Sequence, residues 1–491
     1  MWMSVAQFGA RPIRTLAMIF LARLLDPQDF GLVALALLLI TATDLFSGLG
    51  MDNAVIHSQE EPRTIAFQAF ATTALFSIFL FLIVFTQASF FAQLLGDPAV
   101  APILQWLSVV IVLESLFLVP NALLRKELMF RQVSMARLTQ SLVYNATAVG
   151  FALAGFGLWS LVYGELAGSL AKLLVVTLAY PGFDWLLPKR PNWKALKGLL
   201  GYGIQSTGSG MLTYLNTNWD DWLVGRVLGT TSLGFYSKAY NLTNKGIVNF
   251  SRSVIGGVFF PSFAKIQDDK ERLTRAYLKS LGMVALIMTP VSIGVLVIAP
   301  EMVPILLGDK WLPMVLSLQI FAFMGLVRPL AASTSPLFLA VGRPDLNVRV
   351  ALLLLIVMVA MVLPLLSRGI EGVALAVVVS YTIAFFYSVF EVNRLLPGIA
   401  KKMARVILPA LLAAAIMVVG VQLSKGPLLR LAGGTHNLIT LGIMIVIGAV
   451  LYISISLLTQ RALILETVSV AIAVFKDRKK KSLQKPLREG T

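Results

Sequence analysis

"LARLLDPQDFGLVALA", residues 21–36, closes one apolar run and opens another, and it returns as "VGRVLGTTSLGFYSKA" at residues 224–239. The two copies align Arg23 with Arg226 and Gly31 with Gly234. Two further echoes follow in the same order: "LLGDP" from Leu94 recurs as "LLGDK" from Leu306, and "GLWSLV" from Gly157 meets "GIEGVA" from Gly369. Each match alone is weak; three in one order indicate a duplicated unit. That unit holds six apolar runs, an even number, so both copies enter a membrane from the same side as parallel repeats.

The apolar runs set the fold class. The chain has 491 residues, 57% hydrophobic and 13% charged, with a mean hydropathy of +0.83. Soluble domains carry roughly 25% charge. A helix of about 20 apolar residues crosses roughly 30 Å of hydrocarbon. Fourteen such spans are read at 3–24, 30–50, 64–87, 101–123, 133–154, 157–180, 198–219, 232–259, 276–298, 312–340, 346–366, 370–391, 404–423 and 437–458. The expectation is an all-α integral membrane protein: an N-lobe at 1–197, a C-lobe at 198–397, two extra helices at 398–460, and a basic tail at 461–491.

Loop charge tests that count, because cytoplasmic loops hold the excess Lys and Arg. With both termini cytoplasmic, the inner loops carry groups such as Arg125, Lys126, Arg131 and Arg137, while the outer loops carry little beyond Arg23, Arg226, Lys310, Arg368, Lys425 and Arg430. The asymmetry accounts for most of the net charge of +17, and no nucleic-acid partner is needed to explain it. The tail "KDRKKKSLQKPLR" reads as a topogenic segment attracted to anionic lipid, or as a solvated disordered tail. Arg11 and Arg14 interrupt the first span, so it is no signal peptide. With no Cys in the chain, disulfides and thiolate metal sites are excluded.

Enzyme signatures are sparse. His57 and His436 both fall in expected loops, leaving little material for a metal cluster or a Ser/His/Asp triad. "GTTSLGFYSK" has P-loop glycine spacing, yet Phe235 stands where the lysine belongs. Asp220 and Asp221 in "NTNWDDWL" could suggest a membrane glycosyltransferase or ligase, but such an enzyme needs a large external portion; a helix-capping, loop-solvating role is expected instead.

Charges inside the spans carry the functional information. Lys238, Lys245 and Arg252 are seven residues apart, which on a helix brings them to one face, with Asn241 and Asn249 beside them. Arg11, Arg14, Lys172 and Arg328 are further interior cations, against Asp44, Glu114 and Glu165. A charge at mid-bilayer costs about 2.5–3.5 kcal/mol on insertion scales, so each must face a watery cavity or a partner. Asp44 is near the depth of Arg11 and could pair with it. Lys172 has Glu165 on its own helix face and Glu114 at similar depth. Arg252 is close enough to the inner surface to snorkel. Lys245 and Arg14 have no such escape and are read as facing an anion.

"LARLLDPQDFGLVA", "YLNTNWDDWLVGRVLG" from Tyr214 and "FFPSFAKIQDD" from Phe259 resemble the polysaccharide-transporter branch of the multidrug/oligosaccharidyl-lipid/polysaccharide exporter superfamily, in particular Wzx flippases of the colanic-acid-exporter type. The likeness runs through at least the twelfth span. It implies two six-helix lobes forming a V-shaped cleft, and alternating access that carries polyprenyl-diphosphate-linked oligosaccharide units from the cytoplasmic to the periplasmic leaflet of the bacterial inner membrane. The first, second, seventh and eighth spans of such proteins line the cleft. The implied diphosphate ligands are therefore Arg11, Arg14, Lys238, Lys245 and Arg252, and the implied glycan contacts are Tyr214, Asn216, Asn218, Tyr236, Tyr240, Asn241 and Asn244. Asp44, Glu114, Glu165 and Lys172 are candidates for ion pairs or for coupling to H+ or Na+; no cofactor is called for. Related lipid II flippases carry a cation in the second span, where this chain offers Asp44, which argues against lipid II as substrate. The chain also begins later than the family pattern, so a start codon upstream is expected. Expected partners are the lipid-linked oligosaccharide, membrane lipids, and a polysaccharide polymerase with its assembly proteins. A multidrug exporter of the same fold is the rival reading, and a glycan-processing membrane enzyme the more distant one.

Overall fold

The computed structural model describes residues 2–57, 62–180, 182, 184–187, 193–244, 263–431 and 437–483. The described regular structure is helical, and the chain divides into two compact units, residues 1–237 and 238–491. Lys245, Asn249 and Arg252 lie outside the described residues, as does His436.

Unit 1 contains α1 (Trp2–Leu24), α2 (Pro27–Ser47), α3 (Met51–His57), α4 (Pro62–Thr86), α5 (Ala88–Leu95), α6 (Val100–Lys126), α7 (Phe130–Leu153), α8 (Trp159–Ala179), α9 (Trp193–Leu228) and the first part of α10 (Thr230–Thr243). Proline at the first position starts α2, and the Asp29 carboxylate accepts from the Asp26 N–H at 3.0 Å. α1 lies on α7, α7 on α8, and α2 on both α6 and α9. Gly164 and Gly168 of α8 bring it against α7: a Cβ on Gly168 would lie 3.1 Å from the Gln140 carbonyl oxygen, the small-residue packing that membrane helices use where lipid supplies no hydrophobic drive. Met51, Val55, Ile65, Val119, Leu123 and Trp185 form the buried core, with Phe70 edge-on to Trp185.

The repeated stretch makes its own contact twice. A Cβ on Gly31 would lie 1.7 Å from the Thr230 carbonyl oxygen, and one on Gly234 would lie 1.8 Å from that of Pro27. At the offset that aligns Gly31 with Gly234, Pro27 aligns with Thr230, so the crossing of α2 and α10 is reciprocal. Only glycine permits so close a main-chain approach. Arg226 donates from Nη1 to the Gln93 and Leu94 carbonyls at 2.9 and 2.6 Å, and Thr230 Oγ1 donates to Asp97 at 3.2 Å, which fastens the "LLGDP" turn to the same place.

Unit 2 continues α10 and adds α11 (Lys270–Leu306), a 3-10 turn (Asp309–Met314), α12 (Val315–Ala332), α13 (Thr334–Ala340), α14 (Pro344–Leu365), α15 (Gly369–Leu395), α16 (Ile399–Leu431) and α17 (Leu438–Leu483). α11 is the central strut, packing on α12, α16 and α17, while α12 packs on α15. A second cluster, including Leu286, Val297, Ala414, Met417 and Met444, seals α16 and α17 onto it, and the Tyr452 hydroxyl donates to the Leu286 carbonyl at 2.9 Å. Glu301 pairs with Lys425, and Lys279 with Glu466. Those two pairs sit 22 residues apart on α11, about 33 Å of helix, the thickness of a bilayer core.

Described helix occupies all fourteen expected spans, the eighth only as far as its described part. Nine stretches among the described residues are long and apolar enough to cross a membrane, and three of them, Pro27–His57, Asp309–Ala340 and Pro344–Leu395, each hold more than one helix. The helices outside those nine include α1, α7, α9 and α10, which carry polar residues along their length. Several details differ from the expectation. The tenth span breaks at Ser333 into α12 and α13. His57 ends a short helix rather than lying in a loop. α9 runs to Leu228 and so takes Asp220 and Asp221 into the helix rather than a loop. α17 bends at Gln460, where the backbone leaves helical geometry, and continues to Leu483, so the first part of the expected tail is helical. α9 itself packs on α2 and α3 and groups with unit 1.

Candidate functional site

In unit 1 the interior charges expected from sequence that fall on described side chains include Asp44 on α2, Glu114 on α6, and Glu165 and Lys172 on α8. Lys172 is 7% exposed. Its Nζ stands 2.5 Å from both Glu114 oxygens and 4.3 Å from the Phe117 ring centroid, and the Ser169 hydroxyl donates to Glu114 at 3.2 Å. Two short bonds to one carboxylate consume most of an ammonium's donors. Of the two carboxylates open to Lys172 in the sequence, the structure brings it Glu114. Asp44 accepts from the Ser47 hydroxyl at 3.3 Å and is within electrostatic range of both Glu114 and Lys172.

Arg14 is exposed and donates to Ser141 of α7 from Nε and Nη2 at 3.4 and 3.2 Å. Arg11 lies on α1, with its side chain outside the described set. Several expected glycan contacts are held by the protein itself. The Tyr214 hydroxyl donates to the Leu38 carbonyl at 2.7 Å, joining α9 to α2. Asn218 donates to the Tyr214 carbonyl and the Thr217 hydroxyl at 3.0 and 2.8 Å, and Asn216 is buried on the same helix. Tyr236 is fully buried, and its hydroxyl donates to Asp220 at 2.6 Å, which gives that 3%-exposed carboxylate a core role in place of the loop-solvating one. Asn241 is half-buried on α10.

In unit 2, Lys238 is buried with Nζ 5.3 Å from the Trp311 ring centroid. Arg328 of α12, 6% exposed, donates from Nη1 to the Tyr240 hydroxyl oxygen and to Asn244 Oδ1, both at 2.9 Å. Its guanidinium stacks 4.7 Å from the Tyr381 ring centroid on α15, and Phe321 meets Tyr240 edge-on. The structure thus brings Arg328 together with Tyr240, Asn244 and the Tyr381 ring, and sets Lys238 against Trp311. Arg328 was legible as an interior charge; its partnership with Tyr240 and Asn244, 88 and 84 residues away, was not.

Of the cations on which the expected interior excess rests, the side chains of Arg11, Lys245 and Arg252 lie outside the described residues. Among the described residues the buried charged side chains are Asp220, Glu301 and Glu391 against Lys172, Lys238 and Arg328. Glu301 escaped sequence reading because the ninth span was ended before Pro300, whereas α11 carries prolines at 290, 300 and 304 without stopping.

A family model described as "Polysaccharide biosynthesis protein" matches residues 20–316. The chain is 29% identical over 357 residues to the lipopolysaccharide biosynthesis protein WzxC of Escherichia coli (strain K12), covering 70% of each chain. It is 26% identical over 316 residues to the succinoglycan biosynthesis transport protein ExoT of Rhizobium meliloti (strain 1021), covering 63% of this chain and 62% of that one. Among solved structures, the lipid II flippase MurJ in an inward closed conformation superposes with a TM-score of 0.77 at 16% identity, covering 94% of this chain and 99% of that one, a likeness of fold.

Proposed function

The chain belongs to the polysaccharide biosynthesis protein family, and on that premise we propose that it is a flippase for polyprenyl-diphosphate-linked oligosaccharide units. It is a multi-pass membrane transporter, not an enzyme. The observation that carries the substrate class is the placement of two cations, Lys238 and Arg328, within the buried interior of unit 2 against tryptophan and tyrosine rings. A diphosphate leaving water needs fixed cations to replace its hydration, and aromatic faces suit sugar rings. An organic-cation exporter would need the reverse polarity.

The proposed path places the chain in the bacterial inner membrane with both termini cytoplasmic, moving its substrate outward by alternating access for surface-polysaccharide assembly. Arg11, Arg14, Lys245 and Arg252 are proposed as further stations for the diphosphate; Lys238 to Arg252 would span about 21 Å of helix, so handover is favoured over one grip. Coupling to H+ or Na+ is proposed for the group formed by Asp44, Glu114 and Lys172. A polysaccharide polymerase is the proposed downstream partner. Mass spectrometry of lipids retained by the gently purified protein tests the reading: polyprenyl-diphosphate-linked glycans are expected, and their absence beside a retained organic cation would favour the rival exporter.

A further inference from the structure

α11 carries prolines at 290, 300 and 304, and at two of them a neighbouring helix supplies what the proline removes. Proline has no N–H, so the carbonyl four residues before it loses its helical partner. Pro290 frees the Leu286 carbonyl in this way, and Pro300 frees that of Leu296. Tyr452 of α17 donates its hydroxyl to the Leu286 oxygen at 2.9 Å, and Gln319 of α12 donates from Nε2 to the Leu296 oxygen at 2.9 Å. Each side chain thus stands in for a missing rung of the central strut.

The two joints differ in their surroundings. Leu286 and Tyr452 are 8% and 4% exposed and belong to the apolar cluster that seals α16 and α17 onto α11. Leu296 and Gln319 are half-buried, and Pro300 is exposed. Together with Ile320, Phe323, Leu375 and Val378, those two residues line an open groove of about 390 Å³. Gln319 therefore has room to turn away from its carbonyl, and Tyr452 does not. Between the joints lies Gly294, where among the described residues an added Cβ would meet nothing within 4 Å, so crowding does not call for a glycine there. Glycine is, after proline, the residue least suited to a helix interior, and bends in helices gather at both.

We propose that residues 290–300 of α11 form a link that bends during the transport cycle, with the Leu286–Tyr452 contact as its fixed pivot and the Leu296–Gln319 contact as a latch that opens and closes. The inference rests on the transporter reading and adds to it a moving part within unit 2. A single neutral hydrogen bond suits a latch: between membrane helices it shifts an equilibrium by only about threefold on average.

Pro300→Ala tests the link most sharply, because it returns an N–H to the ladder and makes the Gln319 contact redundant. Thermal stability of the full-length purified protein is expected to hold or rise. Flipping of a polyprenyl-diphosphate-linked oligosaccharide in proteoliposomes is expected to fall at least fivefold, while Pro290→Ala, at the pivot, keeps at least half of the wild-type rate. Gln319→Met removes the latch donor and is expected to speed amide exchange over residues 295–303 about threefold in lipid nanodiscs. Combined with Pro300→Ala, the same substitution should leave exchange unchanged. A wild-type flipping rate in Pro300→Ala overturns the proposal, as does a Gln319→Met effect on exchange of equal size in both backgrounds. An equal fall in flipping for the two proline variants overturns the assignment of pivot and latch. If the wild-type protein flips no such lipid, the flippase reading fails, and the exchange measurements, which need no substrate, decide the link by themselves.

Discussion

Lys172 in unit 1 and Arg328 in unit 2 are both interior cations of nearly equal burial, at 7% and 6% exposed, yet they keep different company. Lys172 meets a carboxylate, with both Glu114 oxygens at 2.5 Å. Arg328 meets a phenol and an amide at 2.9 Å and an aromatic face at 4.7 Å. A carboxylate partner cancels a cation's charge and absorbs its donors, which builds a joint between helices. A neutral partner is polarised and oriented. The first arrangement holds α6 to α8; the second ties α12 to the end of α10 through neutral groups.

The contrast predicts different consequences on breaking each contact. Glu114→Ala leaves Lys172 buried without its carboxylate and is expected to have the largest effect, a loss of about 3–5 kcal/mol, since removal of one member of a buried pair strands the other. Thermal unfolding of the purified protein measures it, and Glu114→Leu with Lys172→Met together should restore most of the stability. A Glu114→Ala protein as stable as wild type would erase the distinction. Arg328→Met is expected to be milder in the same assay, about 1–3 kcal/mol, because Tyr240 and Asn244 can turn to other partners. A loss exceeding that of Glu114→Ala would show that Arg328 is the structural joint. Ser77→Ala sets the lower bound: it removes a 2.6 Å hydroxyl–hydroxyl bond to Ser115 between α4 and α6, and about 0.6 kcal/mol is expected, the average for neutral side-chain bonds between membrane helices.

The same contrast explains what could be read before the structure. Span positions were legible because hydrophobic length is a local property, and Glu114 was legible as one of two carboxylates open to Lys172 because depth in the bilayer can be counted along each helix. The division at Ser333 was not, since the sequence there stays apolar and small across the break. Asp220 was misplaced because a pair of acids reads as a loop, although the Tyr236 hydroxyl lets α9 carry Asp220 inside. Glu301 was hidden behind Pro300, because proline ends helices in water more firmly than where neighbouring helices can satisfy the freed carbonyl. Pairing of Arg328 with Tyr240 and Asn244 depends on how α12 meets α10, and no local pattern encodes a choice among several polar residues at similar depth.

The central claim is transport of a lipid-linked, diphosphate-bearing glycan, and its most direct measurement is flipping in proteoliposomes. Polyprenyl-diphosphate-linked oligosaccharide placed in both leaflets is scored by the fraction that a membrane-impermeant glycan-cleaving enzyme can reach over time. The account predicts that wild-type protein raises that fraction from about half to near completion, that Lys245→Ala does not, and that Lys245→Arg does so in part, since charge survives while geometry changes. An unchanged fraction with folded wild-type protein, or full activity in Lys245→Ala, would contradict it.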